Sequence, residues 1–225
     1  MDPDRELIDE QIAYYRARAP EYDATSTPED DPFAPDGDAI RAVIRGLRPL
    51  GRVLELAAGT GQWTELLAEV ADELVVTDAS PEMLAINRAK LDVRPNVRWE
   101  RADAFALEAS HSFDAVFFGY FLSHVPPGRF DAFWSGVAGA LRPSGQAIFV
   151  DEGVHFEWRE DWIDEAGGIV RRPLTDGSVH RAIKVLWRPG DLERRLREVG
   201  WTASVSQQGP FYWGVAVPAG GRYIT

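Results

Sequence analysis

An α/β fold built on a doubly wound, mostly parallel sheet is what three features of this sequence predict. Strand-like and helix-like segments alternate from residue 52 to residue 151. Several of the strands, among them AVFF (115–118) and AIFV (147–150), are unbroken apolar runs, as in strands covered on both faces. The first of them runs directly into a glycine-rich turn and an apolar helix, VLELAAGTGQWTELL, at residues 53–67.

Taken in order, residues 4–19 place Leu7, Ile8, Ile12 and Tyr15 at helical spacing among charges, which predicts an amphipathic helix ending near Pro20. DATSTPEDDPFAPDGD, residues 23–38, is rich in Pro, Asp and Thr, and is expected to be a mobile connector or a lid ordered by ligand. A helix follows at 38–47, then strand 52–57, helix 61–71, strand 73–78, helix 80–91, strands 96–101 and 113–119, helix 127–141 and strand 145–151. Ser80 caps the helix that Pro81 opens, the usual chemistry of a helix start. Residues 152–168 are aromatic and acidic without a clear period, and 169–187 predict two strands joined by the turn TDGS. A helix at 190–199, stopped by Gly200, leads to strands 201–207 and 211–217, which Gly209 and Pro210 separate and which close the sheet as an antiparallel pair. The expected organisation is one domain: N-terminal helices and possible lid (1–50), core (51–151), a variable cap insertion with a β-hairpin (152–188), and a C-terminal helix with the closing strands (189–225).

Formal net charge is -12, so a nucleic-acid partner would meet net repulsion. With no cysteine there are no disulfides, thiolate metal sites or cysteine nucleophiles, and no histidine–carboxylate set has compact metal-ligand spacing, so no metal is expected. The acidic N-terminus lacks the character of a signal peptide and no apolar run reaches the roughly 20 residues of a membrane span, which together predict a cytoplasmic protein without membrane contact. An acidic protein with an aromatic cap is expected to suit a neutral, cationic or aromatic metabolite better than a polyphosphate.

The glycine turn after the first strand sits where open parallel sheets bind ligands. Asp78, at the end of the next strand, is placed as the acid that holds the ribose hydroxyls of an adenine nucleoside. A dinucleotide would need a third small residue three positions after Gly61, but Thr64 follows the bulky Trp63. Glu55 would repel a pyrophosphate and complement the ammonium and sulfonium charges of S-adenosylmethionine (SAM). The sign of the charge therefore favours SAM over NAD.

Residues 53–64 resemble the first motif of the class I SAM-dependent methyltransferases, an acid followed by alternating glycines, here Glu55, Gly59 and Gly61, with Ala57 where the first glycine is common. A methyl group there is tolerable if that backbone is not at positive φ. VTDASPEML is similar to the second motif, and RADAFAL, FDAVFFGYFLSHVPPGRF and LRPSGQAIFVDE to later ones. YYRARAPEYD is similar to the N-terminal element of the small-molecule methyltransferases of the ubiquinone and menaquinone biosynthesis group. The resemblance implies a Rossmann-like fold, SAM as cofactor with S-adenosylhomocysteine (SAH) as its product, and a small-molecule methyl acceptor. It implies ribose on Asp78, adenine packed on Met83 with its amino group on Asp103, and closure by Tyr15 and Tyr22. Ala79, Ala104, Phe105 and Gly119 complete the implied cofactor set.

His124, after the fourth strand, has the ordinary pKa of a general base for a hydroxyl acceptor, although His-Val-Pro at this point also fits a structural role. Tyr120 beside it is positioned to donate to substrate or to form the pocket wall. Trp158 and Trp162, four residues apart in the least regular segment, are the pocket candidates, and His155 and His180 the polar ones. O-methylation is the expected reaction. N- or C-methylation, a non-methylating cyclase-like SAM enzyme, a dehydrogenase and a pure binding module remain as alternatives on the same fold.

Overall fold

The computed structural model describes residues 2–26, 30–47, 50–91 and 94–219. The seven-stranded sheet runs β3-β2-β1-β4-β5-β10-β9, where β1 is Arg52–Leu56, β2 Glu73–Asp78, β3 Val97–Arg101, β4 Phe113–Gly119, β5 Leu141–Glu152, β9 Trp201–Gln208 and β10 Phe211–Pro218. The first five strands pair in parallel, and β10 is antiparallel to both neighbours, β5 and β9. Because β1 has β2 on one side and β4 on the other, the chain changes winding direction between β1 and β4, and a crevice opens beyond their carboxyl ends.

Helices cover both faces, as the uninterrupted apolar strands require. On one face Ile40 and Ile44 of α3 (Ala34–Gly46), Leu66 and Leu67 of α4 (Thr64–Val70) and Leu84 of α5 (Pro81–Lys90) pack with Phe117 and Ile148. On the other, α6 (Phe130–Ala140) and α7 (Pro189–Glu198) enclose an aromatic cluster centred on Trp134, whose ring lies 4.8 Å from Trp201 and 5.7 Å from Phe118 and Phe149.

Two expectations are corrected and one is extended. The Pro- and Asp-rich stretch at 23–38 is largely helical where it is described: α2 (Tyr22–Ser26) ends in it, and α3 begins at Ala34, four residues before the expected start. Residues 27–29 of that stretch lie outside the described residues. Pro35 and Asp36 suit the first turn of a helix, so residues that signal a loop here signal a start. In the inserted region the expected hairpin is present as β7 (Ile169–Pro173) and β8 (Val179–Ile183), and a short strand, β6 (Trp162–Asp164), joins it to make a three-stranded antiparallel sheet. Strand β5 begins at Leu141, paired with Phe113 across a register shift.

The N-terminal helix α1 (Pro3–Arg18) lies along the small sheet. Glu10 accepts from the Arg181 amide (2.8 Å) and guanidinium, and the buried Gln11 side chain accepts from the Ile183 amide (3.0 Å) while donating to the His124 carbonyl (3.3 Å). Arg5 pairs with Asp103 (2.8 Å) and Arg16 with Glu82 (2.7 Å), so the same helix also bridges to the crevice of the main sheet. Asp23 of α2 accepts from Thr60 (2.6 Å) and pairs with Lys90 (2.6 Å), fastening that short helix to the glycine turn. Among the described residues no helix is long and apolar enough to cross a membrane.

Candidate active site

The crevice at the winding switch is lined by most of the residues that the sequence marks: Ala57, Gly59, Asp78, Ala79, Met83 and Asp103. Ala104, Phe105, Gly119 and Tyr120 continue the wall, and Tyr15, Tyr22 and His124 close it from the N-terminal side and from the turn after β4. Two expected residues stand back from it. Gly61, at φ +95°, belongs to the turn, and a Cβ there would meet the Asn87 amide at 3.0 Å. Glu55 is only 2% exposed, behind the wall.

Gly59 supplies a positive φ of +55°, and a Cβ built on it meets no atom within 4 Å. Its amide donates to Asp78 Oδ2 (2.9 Å), while Ser80 N donates to Oδ1 (2.8 Å). Two amides thus fix the carboxylate that ends β2, although burial still pushes its pKa up. Asp103 accepts from the Phe105 amide (2.9 Å), and its other oxygen is held by Arg5.

Ala57 is at φ +49°, so the condition under which its methyl group would be harmless is not met. A left-handed conformation costs an ordinary residue roughly 1–2 kcal/mol relative to its preferred ones. Ala57→Gly is therefore expected to raise the unfolding free energy by about 0.5–1 kcal/mol, part of the relief being lost to the freer unfolded chain. Equal or lower stability in urea titration would mean that the turn is not strained there. Tyr120 is also at positive φ (+55°), an outlier for a bulky residue, and its amide is held by Val150 O (2.7 Å).

Glu55 has one carboxylate oxygen, Oε2, without a hydrogen-bond partner among the described residues. Burial pushes its pKa up to about 8, against a hydrogen bond from Thr64, and the charge of Asp78 adds to the rise. An orphaned buried acid beside an acidic, glycine-edged crevice fits a cationic ligand carrying ribose, as SAM is.

His124 is buried, and its two nitrogens are both engaged. Nδ1 donates to the Ile183 carbonyl (2.7 Å), which leaves Nε2 as the acceptor for the Tyr15 hydroxyl (2.9 Å). Burial, and then the positive charges of Lys184, Arg172 and Arg18, hold its pKa well below the usual histidine value. Tyr120's hydroxyl is likewise driven toward its neutral form by burial.

A second cavity, of about 500 Å³, adjoins the first and shares Tyr15, Tyr22, Gln62, Tyr120 and His124 with it. The expected pocket residues are not on its wall. Trp158 is 75% exposed, His155 is exposed, His180 packs against Tyr14 at 5.7 Å between ring centroids, and Trp162 faces a separate surface groove. Indole side chains in an irregular segment suggested a pocket, but Trp158 stacks under the Arg159 guanidinium (5.1 Å) at the surface. In their place the cavity takes Arg18, Arg159, Arg172 and Lys184. No sequence spacing relates these residues; the packing of α1 on the small sheet brings Arg18 to Arg172 and Lys184.

A family model described as a methyltransferase domain matches residues 53–145. The chain is similar to two solved structures of DhpI: the DhpI–SAH complex (41% identity, TM-score 0.79, 95% of this chain and 97% of that one) and the DhpI–SAM–HEP complex (42% identity, TM-score 0.79, 94% and 98%). It is also 36% identical over 107 residues, 47% of its length, to the demethylmenaquinone methyltransferase of Beutenbergia cavernae. The chain spans about half the length of the curated relatives it matches, 42% in that case.

Proposed function

Because the chain belongs to the SAM-dependent methyltransferases of the small-molecule type, we propose that it transfers a methyl group to an oxygen of a small molecule seated in the second cavity. The observation that carries this reading is the wall shared by the two cavities: Tyr15, Tyr22, Gln62, Tyr120 and His124 border both. A donor on one side and an acceptor on the other would meet there, and alignment of the reacting atoms is most of what an activated methyl group requires. That DhpI forms a complex with both SAM and HEP supports a site for two ligands.

The bound cofactor supplies a methyl group already activated by sulfonium; the chain's residues hold, orient and exclude water. Asp78 would hold ribose, Met83 would pack on adenine and Asp103 would accept from its amino group, all three lining the crevice that α1 and α2 close. Glu55, behind the wall, keeps its proton in the unliganded chain, and a cationic ligand beside it would favour its charged form. His124 serves as a positioning residue in this reading. Its protonated form would stand beside three cations, which makes it a poor base, and its Nε2 takes the Tyr15 proton. With its proton committed to His124, Tyr15 presents oxygen lone pairs to the shared wall, where positive charge is best complemented.

Calorimetric titration with SAM, SAH and NAD tests the reading: the two sulfur ligands bind and NAD does not. Binding of NAD alone overturns it. Tyr15→Phe is expected to weaken SAM binding about three- to tenfold, the range of one hydrogen-bonding group, and to leave SAH binding nearly unchanged, since SAH lacks the sulfonium charge. Equal losses for both ligands would reduce Tyr15 to packing.

A further inference from the structure

Charge changes sign across the shared wall. The cofactor crevice is edged by Asp78 and Asp103 with Glu55 behind, whereas the second cavity gathers Arg18 from α1, Arg159, Arg172 from β7 and Lys184 after β8. Three carboxylates, Asp31, Glu152 and Glu160, also border that cavity. Two of them are taken: Lys184, only 3% exposed, pairs with Glu152, and Arg172 pairs with Glu160 at 2.6 Å. Arg18 and Arg159 have no carboxylate partner among the described residues. Arg18 lies over the Tyr22 ring (4.7 Å) and donates to the hydroxyls of Thr25 (3.0 Å) and Ser26 (3.1 Å), and Arg159 lies over Phe156 (4.6 Å). Four cations against three carboxylates leave this cavity with one positive charge in excess, in a chain of net charge -12.

We propose that the second cavity binds the acceptor as an anion, a small molecule bearing a carboxylate or a phosphate-like group, held by Arg18 and Arg172 with Lys184 and Arg159 around it. This rests on the methyl-transfer reading above and names its substrate class. Guanidinium groups meet such oxyanions with paired, charge-assisted hydrogen bonds, and partial burial strengthens each of them. The acceptor's anionic charge also explains why the shared wall needs no base. An ionised acceptor oxygen gives a lone pair to the methyl carbon, the C–O bond forms, and the C–S pair returns to sulfur. No proton is displaced, and opposite charges annihilate in a site shielded from water. Tyr14, Tyr22 and Tyr120 line the same space and add hydroxyl groups and ring faces that fit a compact ligand.

The test uses the full chain saturated with SAH and titrated calorimetrically with inorganic phosphate and, separately, with acetate at low ionic strength. At least one anion is expected to bind saturably, and the tighter of the two identifies the acceptor's group. Arg172→Gln and Arg18→Gln are each expected to weaken that binding tenfold or more while SAH affinity stays within about threefold. Arg18→Gln breaks no carboxylate pair among the described residues, only contacts to hydroxyls and ring faces, so it keeps the test open if Arg172→Gln misfolds. Failure of both anions to bind the SAH-saturated protein, or binding that neither substitution weakens, overturns the proposal while leaving methyl transfer standing. If SAH itself does not bind, methyl transfer falls instead; phosphate binding to the unliganded protein that still depends on Arg172 then keeps the anion site.

Discussion

Between pH 5 and pH 8 one buried acid is expected to cost the folded chain stability as pH rises, by about 1.4 kcal/mol per pH unit at the steepest and a few kcal/mol in all. The cause is Glu55, whose pKa is pushed up to about 8 by burial. In that interval the folded state keeps a proton that the unfolded chain has released, so the folded state binds more protons and each rise in pH favours unfolding. The contribution is complete below the ordinary glutamate value of about 4.5 and is lost as pH passes through the folded value. Asp151, raised to about 6 first by burial, acts in the same direction at the acid end. His124, held neutral, acts in the opposite direction, adding stability as pH rises toward the usual histidine value. Urea unfolding at pH 5, 6.5 and 8 of wild type and Glu55→Gln separates these contributions, because the substitution removes only one of them. Parallel curves for the two proteins would show that Glu55 ionises as freely as in solution. The unpartnered Oε2 is the structural sign that it does not.

Asp78→Ala is expected to weaken SAH binding by about 1–3 kcal/mol, the range for hydrogen bonds to a charged group, or roughly five- to 150-fold. Its carboxylate accepts from Gly59 and Ser80 on one side and lines the crevice on the other. The substitution therefore takes away the proposed ribose acceptors and also frees two amides, so a fall in stability should accompany the loss of affinity. Asp78→Asn, which keeps one acceptor oxygen, should fall between wild type and alanine. Calorimetric titration reads the affinity, and an unchanged value in the alanine variant would move the ribose elsewhere.

The crevice at the winding switch was legible in the sequence because its parts are consecutive along each strand–turn–helix unit. The apolar run ending at Glu55, Gly59 and Gly61 in the turn, and Asp78 one strand later all follow from local geometry that a linear pattern records. The lining of the second cavity was not legible. Arg18, Arg172 and Lys184 come from α1, β7 and the residues after β8, and nothing in the spacing of those segments requires them to meet. Aromatic enrichment pointed instead to Trp158 and Trp162, which lie outside the cavity. Ala57 shows a different limit. Its substitution for glycine was visible, but the φ of +49° that makes it matter is a property of the folded turn.

The contact between α1 and β8 bears on how such an enzyme could acquire a new acceptor. Gln11 satisfies the Ile183 amide and donates to the His124 carbonyl from within the interior, and Glu10 answers Arg181. Exchanging the N-terminal helix alone would remove Gln11 and leave the Ile183 amide and the His124 carbonyl without that partner, a penalty of about 1–3 kcal/mol for each. Exchanging the inserted sheet alone would remove the Arg181 side chain that Glu10 pairs with, a smaller loss because that pair is partly exposed. The two segments, some 150 residues apart in sequence, therefore form one hereditary unit, and chimeras that transplant them together are the ones expected to fold and to carry acceptor choice with them.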